Sequence, residues 1–241
     1  MNSNEEFYSS EKLEEKYDKF LKDKKVVIVG PSKRIKGSGQ GGVIDSYDIV
    51  VRVNLGLNIQ ENLKEDIGSR MDILYSAMSR YYWDTRVFSK KSLSRLEKRY
   101  DIKWIVNTGI RRAMILRMAE DKMRSKTKMD LKLVSLKNIK YIKRKLKGKP
   151  TAGIISIYDL LHYDISELYV TGFTFYNIMS SKHERKDYYY ENYSPRYSES
   201  IGNVYKHDLK GEARLLYKMK KKDKRVKVDK VLFSILKNFD K

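Results

Sequence analysis

Short runs of β-branched residues alternate with amphipathic stretches along most of the chain. Val26–Val29 is a continuous apolar run, as expected of a strand buried on both faces, and Ile49–Val53 repeats it. Met71–Tyr75 reads as a third strand. A polar helix over Ser89–Tyr100 leads into a fourth strand, Ile102–Val106. A basic helix around Ile110–Arg124 precedes a strand at Leu131–Val134. Pro150-Thr151 then opens a helix well, because Pro suits a first turn and Thr can cap exposed N–H groups. Ile154, Ile157, Tyr158 and Leu161 fall at i, i+3, i+4 and i+7, one buried stripe. Leu168–Val170 is a further strand, closed by Thr171-Gly172-Phe173, and helices are predicted over Asp208–Met219 and Val231–Phe239. This alternation predicts an α/β fold: a single Rossmann-like domain over 1–241, with a mostly parallel sheet and helices on both faces. Residues 1–23 read as a charged N-terminal helix. The stretch 174–206 has no periodicity and is rich in Ser, Asn and Tyr, the pattern of a functional loop or lid or of a disordered segment.

The first two strands frame a glycine-rich loop, and the second ends on a polar residue before a charged turn. That order builds a nucleotide site at the carboxyl edge of a sheet. The string Gly37-Ser38-Gly39-Gln40-Gly41-Gly42 satisfies GxGxxG, but it begins well past Val29 rather than directly after the strand, so it is no dinucleotide fingerprint. Alone, it indicates a plain loop. No phosphate-loop lysine pattern is present.

Composition narrows the class. With no cysteine in 241 residues, disulfides, zinc thiolates and thiol catalysis are excluded. No run approaches the roughly 18 apolar residues that cross a bilayer, and the N-terminus lacks the apolar core of a signal peptide. A cytoplasmic protein is the expectation. The net charge of +21 has three readings: charge dispersed over a solvated surface, steering of an anionic substrate or contact with an anionic membrane, and nucleic-acid binding. The basic residues are densest in Lys122–Lys149 and Lys218–Lys230.

Taken together, the motifs are more specific. VVIVGPS, GSGQGGVIDSYDIVVRVN and EDIGSRMD follow one another as the large sialylmotif of the eukaryotic-type sialyltransferases does. Pro150-Thr151-Ala152-Gly153 through His162 to Thr171-Gly172-Phe173 resembles the small sialylmotif. Tyr188-Tyr189-Tyr190-Glu191 resembles the third motif, and His207 with Glu212 reproduces the H-x-x-x-x-E spacing of the very small motif. The chain thus resembles glycosyltransferase family 29 over residues 26–212. It departs from the family pattern at Pro31, where Asn is usual, and at Tyr188, where His is usual. The positions of the family's usual disulfide align to Val26 and about Tyr163.

The resemblance implies the GT-A-like variant fold of sialyltransferases and an inverting transfer without metal or other cofactor. The donor would be a CMP-activated sugar acid, sialic acid or a Kdo-like relative, and the acceptor a glycan or glycolipid hydroxyl. His207 is the candidate base, since histidine titrates near neutrality. His183 is an alternative, and His162 reads as structural. Tyr188, Tyr189 and Tyr190 would stabilise the departing phosphate, and Ser32 and Asn54 would meet phosphate or ribose. Thr151, Ala152 and Gly153 open a helix whose positive end suits an anion. Gly30, Thr171, Gly172 and Phe173 complete the implied donor site, and Glu212 supports His207. Arg52 and Arg70 read as structural, paired with Asp48 or Asp66, and Asp45 and Asp72 are not a metal pair. A nucleic-acid-binding protein, or a nucleic-acid-modifying transferase, on the same scaffold is the alternative.

Overall fold

The computed structural model describes residues 11–54, 59, 61–77, 90–109, 127–175 and 207–240. Seven parallel strands form one sheet: β1 (Lys25–Val29), β2 (Ile49–Val53), β3 (Ile73–Ser76), β4 (Trp104–Asn107), β5 (Asp130–Leu133), β6 (Glu167–Thr171) and β7 (Val226–Val228). Their order is β5-β4-β3-β2-β1-β6-β7. The chain builds outward from β1 to β5, then crosses back to lay β6 on the other side of β1. That reversal is a topological switch point, where loops diverge and leave a crevice at the carboxyl ends of the strands.

The apolar runs occupy the centre of the sheet because both of its faces are covered. Val26, Ile28, Val51, Val106 and Val170 face one way, onto α1 (Glu11–Leu21), α5 (Leu136–Lys145), α6 (Ala152–Leu160), α7 (Leu209–Lys222) and α8 (Lys230–Lys237). Val27, Val29, Val50, Leu74 and Ile105 face the other, with Ile44 of α2 (Gly41–Asp45) and Ile67 of α3 (Lys64–Ile67). Helix α4 (Lys90–Tyr100) brings Tyr100 to the edge of this second cluster. Among the described residues, the second face is covered by these one-turn helices, by α4 and by 3₁₀ turns at Lys33–Ile35 and Glu61–Leu63.

Several expectations shift. Helix α6 is buried nearly all round rather than along one stripe, with Tyr158 and Leu161 its less buried members, because it is wedged between the sheet and α5. Its Thr151 cap forms as expected, accepting from Ile154 N. The GxGxxG string does enter a helix, the single turn α2. Helix α5 was concealed by its lysines, since only Ile139 and Ile142 of its apolar residues are fully covered. Strand β7 is three residues long, too short for periodicity to reveal. The helix predicted at 110–124 lies outside the described residues.

A polar chain crosses the larger core. The Tyr17 and Tyr75 hydroxyls lie 2.9 Å apart, and Tyr75 donates to Asp159 Oδ2 at 2.9 Å. Asn138 Nδ2 donates to Asp159 Oδ1 at 3.3 Å. Burial raises the Asp159 carboxyl, and the charge of nearby Lys132 opposes that rise. The chain anchors the C-terminal half of α6 to β3, so its N-terminal end is held at a defined place. Among the described residues no helix is long and apolar enough to cross a membrane.

Candidate active site

The loops after β1 and β6 stay in contact beyond the strands. Gly30 N donates to Thr171 O at 2.8 Å, and Ser32 N to Gly172 O at 3.0 Å. Only glycine permits this approach. A Cβ on Gly30 would lie 2.4 Å from Gly172 O, and Gly172 has φ +70°. The Phe173 ring lies between Gly30 and Gly153, 2.7 Å from where a Cβ on either would be. The small residues of the two motifs thus make room for one aromatic ring, which seats the start of α6 on the sheet edge. Gly30→Ala is expected to lower stability by about 1–3 kcal/mol, because backbone oxygen cannot retreat as a side chain can. Urea unfolding measures it, and an unchanged midpoint would contradict the packing described.

The polar residues of this edge have local partners. Ser32 is buried, and its hydroxyl accepts from Arg34 N at 3.2 Å and from Thr174 Oγ1 at 3.2 Å. Thr171 is fully buried and donates to Asp229 Oδ2 at 2.9 Å; Gly172 N donates to the same oxygen at 2.9 Å. Asp229 also caps α8, accepting from Leu232 N at 2.7 Å. Ser32 and Thr171 therefore hold the edge together with the hydroxyls expected to meet a ligand. Asn54 differs. It sits at φ +50°, a region Asn tolerates, and its Oδ1 accepts from Ala77 N at 3.0 Å. Its Nδ2 has no partner among the described residues and remains available as a donor.

Two features went unseen in sequence. Asp229 precedes an apolar periodic run, which is an N-cap signature, but its tie to β6 depends on the fold. Thr108, just past β4 at the same sheet edge, is buried with an Oγ1 that has no partner among the described residues. A strand ending in Asn-Thr-Gly was its only signal.

Three contacts place the start of α7. The segment before α6 presents alternate residues to it: Lys147 N donates to Asp208 Oδ2 at 3.0 Å, Lys149 O lies 2.6 Å from His207 Nδ1, and Thr151 N donates to Glu212 Oε1 at 2.7 Å. Thr151 Oγ1 adds a bond to Glu212 Oε2 at 2.7 Å. Glu212 thus grips the start of α6, and its two carboxylate oxygens are spent on Thr151. It is fully buried, and burial with nearby Asp208 pushes its carboxyl up to about 8 against the Thr151 bonds.

For His207, the partner decides the tautomer. A carbonyl only accepts, so Nδ1 carries the proton and Nε2 keeps its lone pair. Burial, with the charge of Lys149, holds the ring below the usual histidine range; the bond to Lys149 O opposes them. The N–H groups of Ala152 and Gly153, at the positive end of α6, have no protein partner among the described residues. His162 has Nδ1 2.7 Å from Tyr158 O and its ring against Tyr158, a structural position. Tyr188, Tyr189, Tyr190 and His183 lie outside the described residues.

The charged residues of the first motif lie behind this edge. Arg52 is fully buried and donates through Nε and Nη2 to Arg70 O at 3.1 and 3.0 Å. Arg70 donates to the carbonyls of Asp45, Tyr47 and Asp48 and pairs with Asp72 at 3.0 Å. The expected acid partners were Asp48 and Asp66, but Asp48 offers Arg70 only its carbonyl, while its carboxylate accepts from Lys25 N at 2.8 Å. Asp66 instead accepts from Gly37 N and Gly39 N at 2.8 and 2.9 Å, tying down the glycine loop. Asp45 accepts from Ser69 N and Arg70 N. No group of three or more His, Asp or Glu residues suited to a metal occurs among the described residues.

The model of glycosyltransferase family 29 (sialyltransferase) matches residues 4–224. The chain belongs to this family. Among curated proteins, it is 25% identical to a rat CMP-N-acetylneuraminate-beta-galactosamide-alpha-2,3-sialyltransferase 4 and 26% identical to the mouse protein of the same name. Each match covers 71% of this chain, which spans only 55% of either relative. Among solved structures, a mammalian sialyltransferase in complex with Gal-beta-1-3GalNAc-ortho-nitrophenol aligns with TM-score 0.57 at 16% identity, covering 88% of this chain and 71% of that one. The sialyltransferase CstII from Campylobacter jejuni, in complex with cytidine-5'-monophosphate, aligns with TM-score 0.53 at 16% identity, covering 86% and 80%. At these identities the structures establish the shared fold. Within the family framework, the large motif forms the scaffold of β1–β3. The small motif supplies the start of α6 and the end of β6, and the very small motif supplies His207 and Glu212.

Proposed function

We propose that the protein is an inverting, metal-independent glycosyltransferase that moves a sugar acid, sialic acid or a Kdo-like relative, from a CMP-activated donor to a hydroxyl of a glycan or glycolipid. The observation that carries this reading is the hold of Lys149 O on His207 Nδ1, in the segment that leads directly into the start of α6, where the N–H groups of Ala152 and Gly153 have no partner among the described residues. In this mechanism Nε2 takes the proton of the acceptor hydroxyl as its oxygen attacks the anomeric carbon from the face opposite the leaving group. The bond from that carbon to the phosphate oxygen breaks, and CMP departs with the electron pair. Hydrogen-bond donors aimed at the phosphate stabilise the charge that develops on it. The Ala152 and Gly153 amides, the positive end of α6 and Asn54 Nδ2 fit that task, and Tyr188, Tyr189 and Tyr190 are assigned to it by their motif. Glu212 and Lys149 act through geometry, holding helix start and imidazole at a set separation.

Nucleotide selectivity tests the donor class. CMP at a hundred times its dissociation constant is expected to stabilise the fold by about 2.7 kcal/mol, whereas UDP and GDP leave it unchanged. Thermal unfolding with each nucleotide measures this; a shift with UDP or GDP but none with CMP would remove the donor assignment.

A further inference from the structure

The two densest basic stretches of the sequence, far apart in the chain, come together beside the candidate active site. A groove of about 460 Å³ runs between α5, α6 and α7, with Tyr141, Tyr158, Leu161, Leu215 and Met219 among its walls. Five cations line it: Lys145 and Lys147 on one side, Arg214, Lys218 and Lys222 on the other. All five are exposed, and none has an acidic partner within ion-pair distance among the described residues. The groove also has two acids, but both are occupied. Asp223 is paired with Arg225 at 2.7 Å, and Asp208 is spent on the N–H groups of Lys147 and Gly211. Arg214, Lys218 and Lys222 recur every fourth residue of α7, so they form one row with about 6 Å of rise between neighbours. Arg214 also packs over the Phe239 ring at 5.7 Å, and a row of cations with no acidic partner among the described residues, over an apolar floor, suits a linear polyanion.

The tyrosines restrict which polyanion. Tyr141 and Tyr158 stack on each other, with centroids 5.2 Å apart and planes 16° from parallel. His162 packs on Tyr158 at 4.4 Å, and the Lys145 ammonium lies 5.3 Å from the Tyr141 centroid. Each of the two rings spends one face on the other and has Lys145 or His162 close by, which reduces the open ring face that single-stranded nucleic acid stacks on. Ring edges and phenol oxygens remain, and these suit hydroxyl-rich, non-aromatic ligands. Asp208, the neighbour of His207, also lines the groove, which is built from the same two segments that fix that imidazole.

We propose that this groove binds an anionic saccharide, carrying carboxylate or phosphate groups, and that it is the charged portion of the acceptor presented to His207. The acceptor role rests on the transferase reading above; the binding of anionic saccharide does not. The full chain is titrated calorimetrically with a heparin-derived hexasaccharide as the polyanionic probe, with uncharged maltohexaose, and with a thymidine hexanucleotide. Two triple variants are compared: Lys145→Gln/Arg214→Gln/Lys218→Gln in the groove, and Lys12→Gln/Lys19→Gln/Lys22→Gln on and just after helix α1, which removes the same charge at positions that do not line the groove. The groove variant is expected to bind the heparin hexasaccharide at least about tenfold more weakly and the α1 variant less than about threefold more weakly, both effects shrinking with added salt. Equal losses in the two variants would mean that only net charge is sensed and would overturn the proposal. So would maltohexaose binding as tightly as the charged probe, or the hexanucleotide binding more tightly and being the ligand the groove variant loses. CMP is titrated separately. If CMP fails to stabilise the wild-type protein, the transferase reading falls and the acceptor role with it. The saccharide and hexanucleotide titrations decide the groove independently of the CMP result.

Discussion

His207→Ala is expected to slow CMP release from a CMP-activated sugar acid by about 10²–10⁴-fold, the usual contribution of a positioned base. The effect follows from the partner of Nδ1. Lys149 O, 2.6 Å away, holds the proton on that nitrogen and leaves Nε2 as the only basic atom of the ring. Burial keeps the ring below its ordinary range, so it is neutral at pH 7 and able to accept a proton without first losing one. Wild-type turnover should therefore rise with pH to a plateau, with a midpoint below that of free histidine, and the variant should lack this limb. His207→Asn provides the control for structure. Its amide nitrogen can still donate to Lys149 O, but it has no second ring nitrogen, so CMP-induced stabilisation should be retained while turnover is lost. Turnover in His207→Asn at the wild-type rate would remove the assigned base.

Glu212 carries the second large effect, on stability and its pH dependence. Glu212→Ala leaves the Thr151 N–H and hydroxyl without their buried partner, at a cost of about 2–4 kcal/mol from unmet donors and the cavity created. Glu212→Gln should be far milder, because an amide can accept from Thr151 N and donate to Thr151 Oγ1 as a protonated carboxyl would. The sign of the pH effect follows from the raised carboxyl. The folded protein keeps this proton up to about pH 8, whereas an unfolded glutamate releases it near 4.5. Between those values the unfolded state binds fewer protons, so the contribution of Glu212 to stability falls as pH rises, by at most about 1.4 kcal/mol per unit. The melting temperature of the wild type should thus decline relative to Glu212→Gln from pH 5 to 8 and then run parallel to it. The difference between the two proteins cancels every other titrating group. Parallel curves throughout would show that the carboxyl titrates normally.

These two residues also mark where motif spacing stops being informative. His207 and Glu212 share a five-residue interval, and spacing alone suggests that the acid supports the base. In the fold they serve different partners along one segment, Lys149 and Thr151. The imidazole is oriented by a backbone carbonyl, which no side-chain pattern can announce. The large motif behaves similarly. Arg52, Arg70 and their acids were legible as structural, yet the acid partner of Arg70 is Asp72, and Asp66 holds the glycine loop instead. Ser32 and Thr171 have the residue type and sheet-edge position of ligand contacts, but their hydroxyls are engaged by Thr174 and Asp229.

What the sequence determined by itself is what depends on near neighbours. The short β-branched runs at 26–29 and 49–53, the second broken only by Arg52, read as strands covered on both faces, and Pro150-Thr151 starts a helix because its ring and hydroxyl suit a first turn. The tertiary structure alone decided what those elements meet. It placed β6 beside β1 across some 140 residues, which brings Gly30, Gly153, Gly172 and Phe173 into one contact. It also set two basic helices on either side of one groove. The physical reason is range: helix and strand formation is governed by backbone sterics and the period of burial over a few residues, whereas partner choice is settled by packing among segments whose separation in the chain leaves no periodic trace.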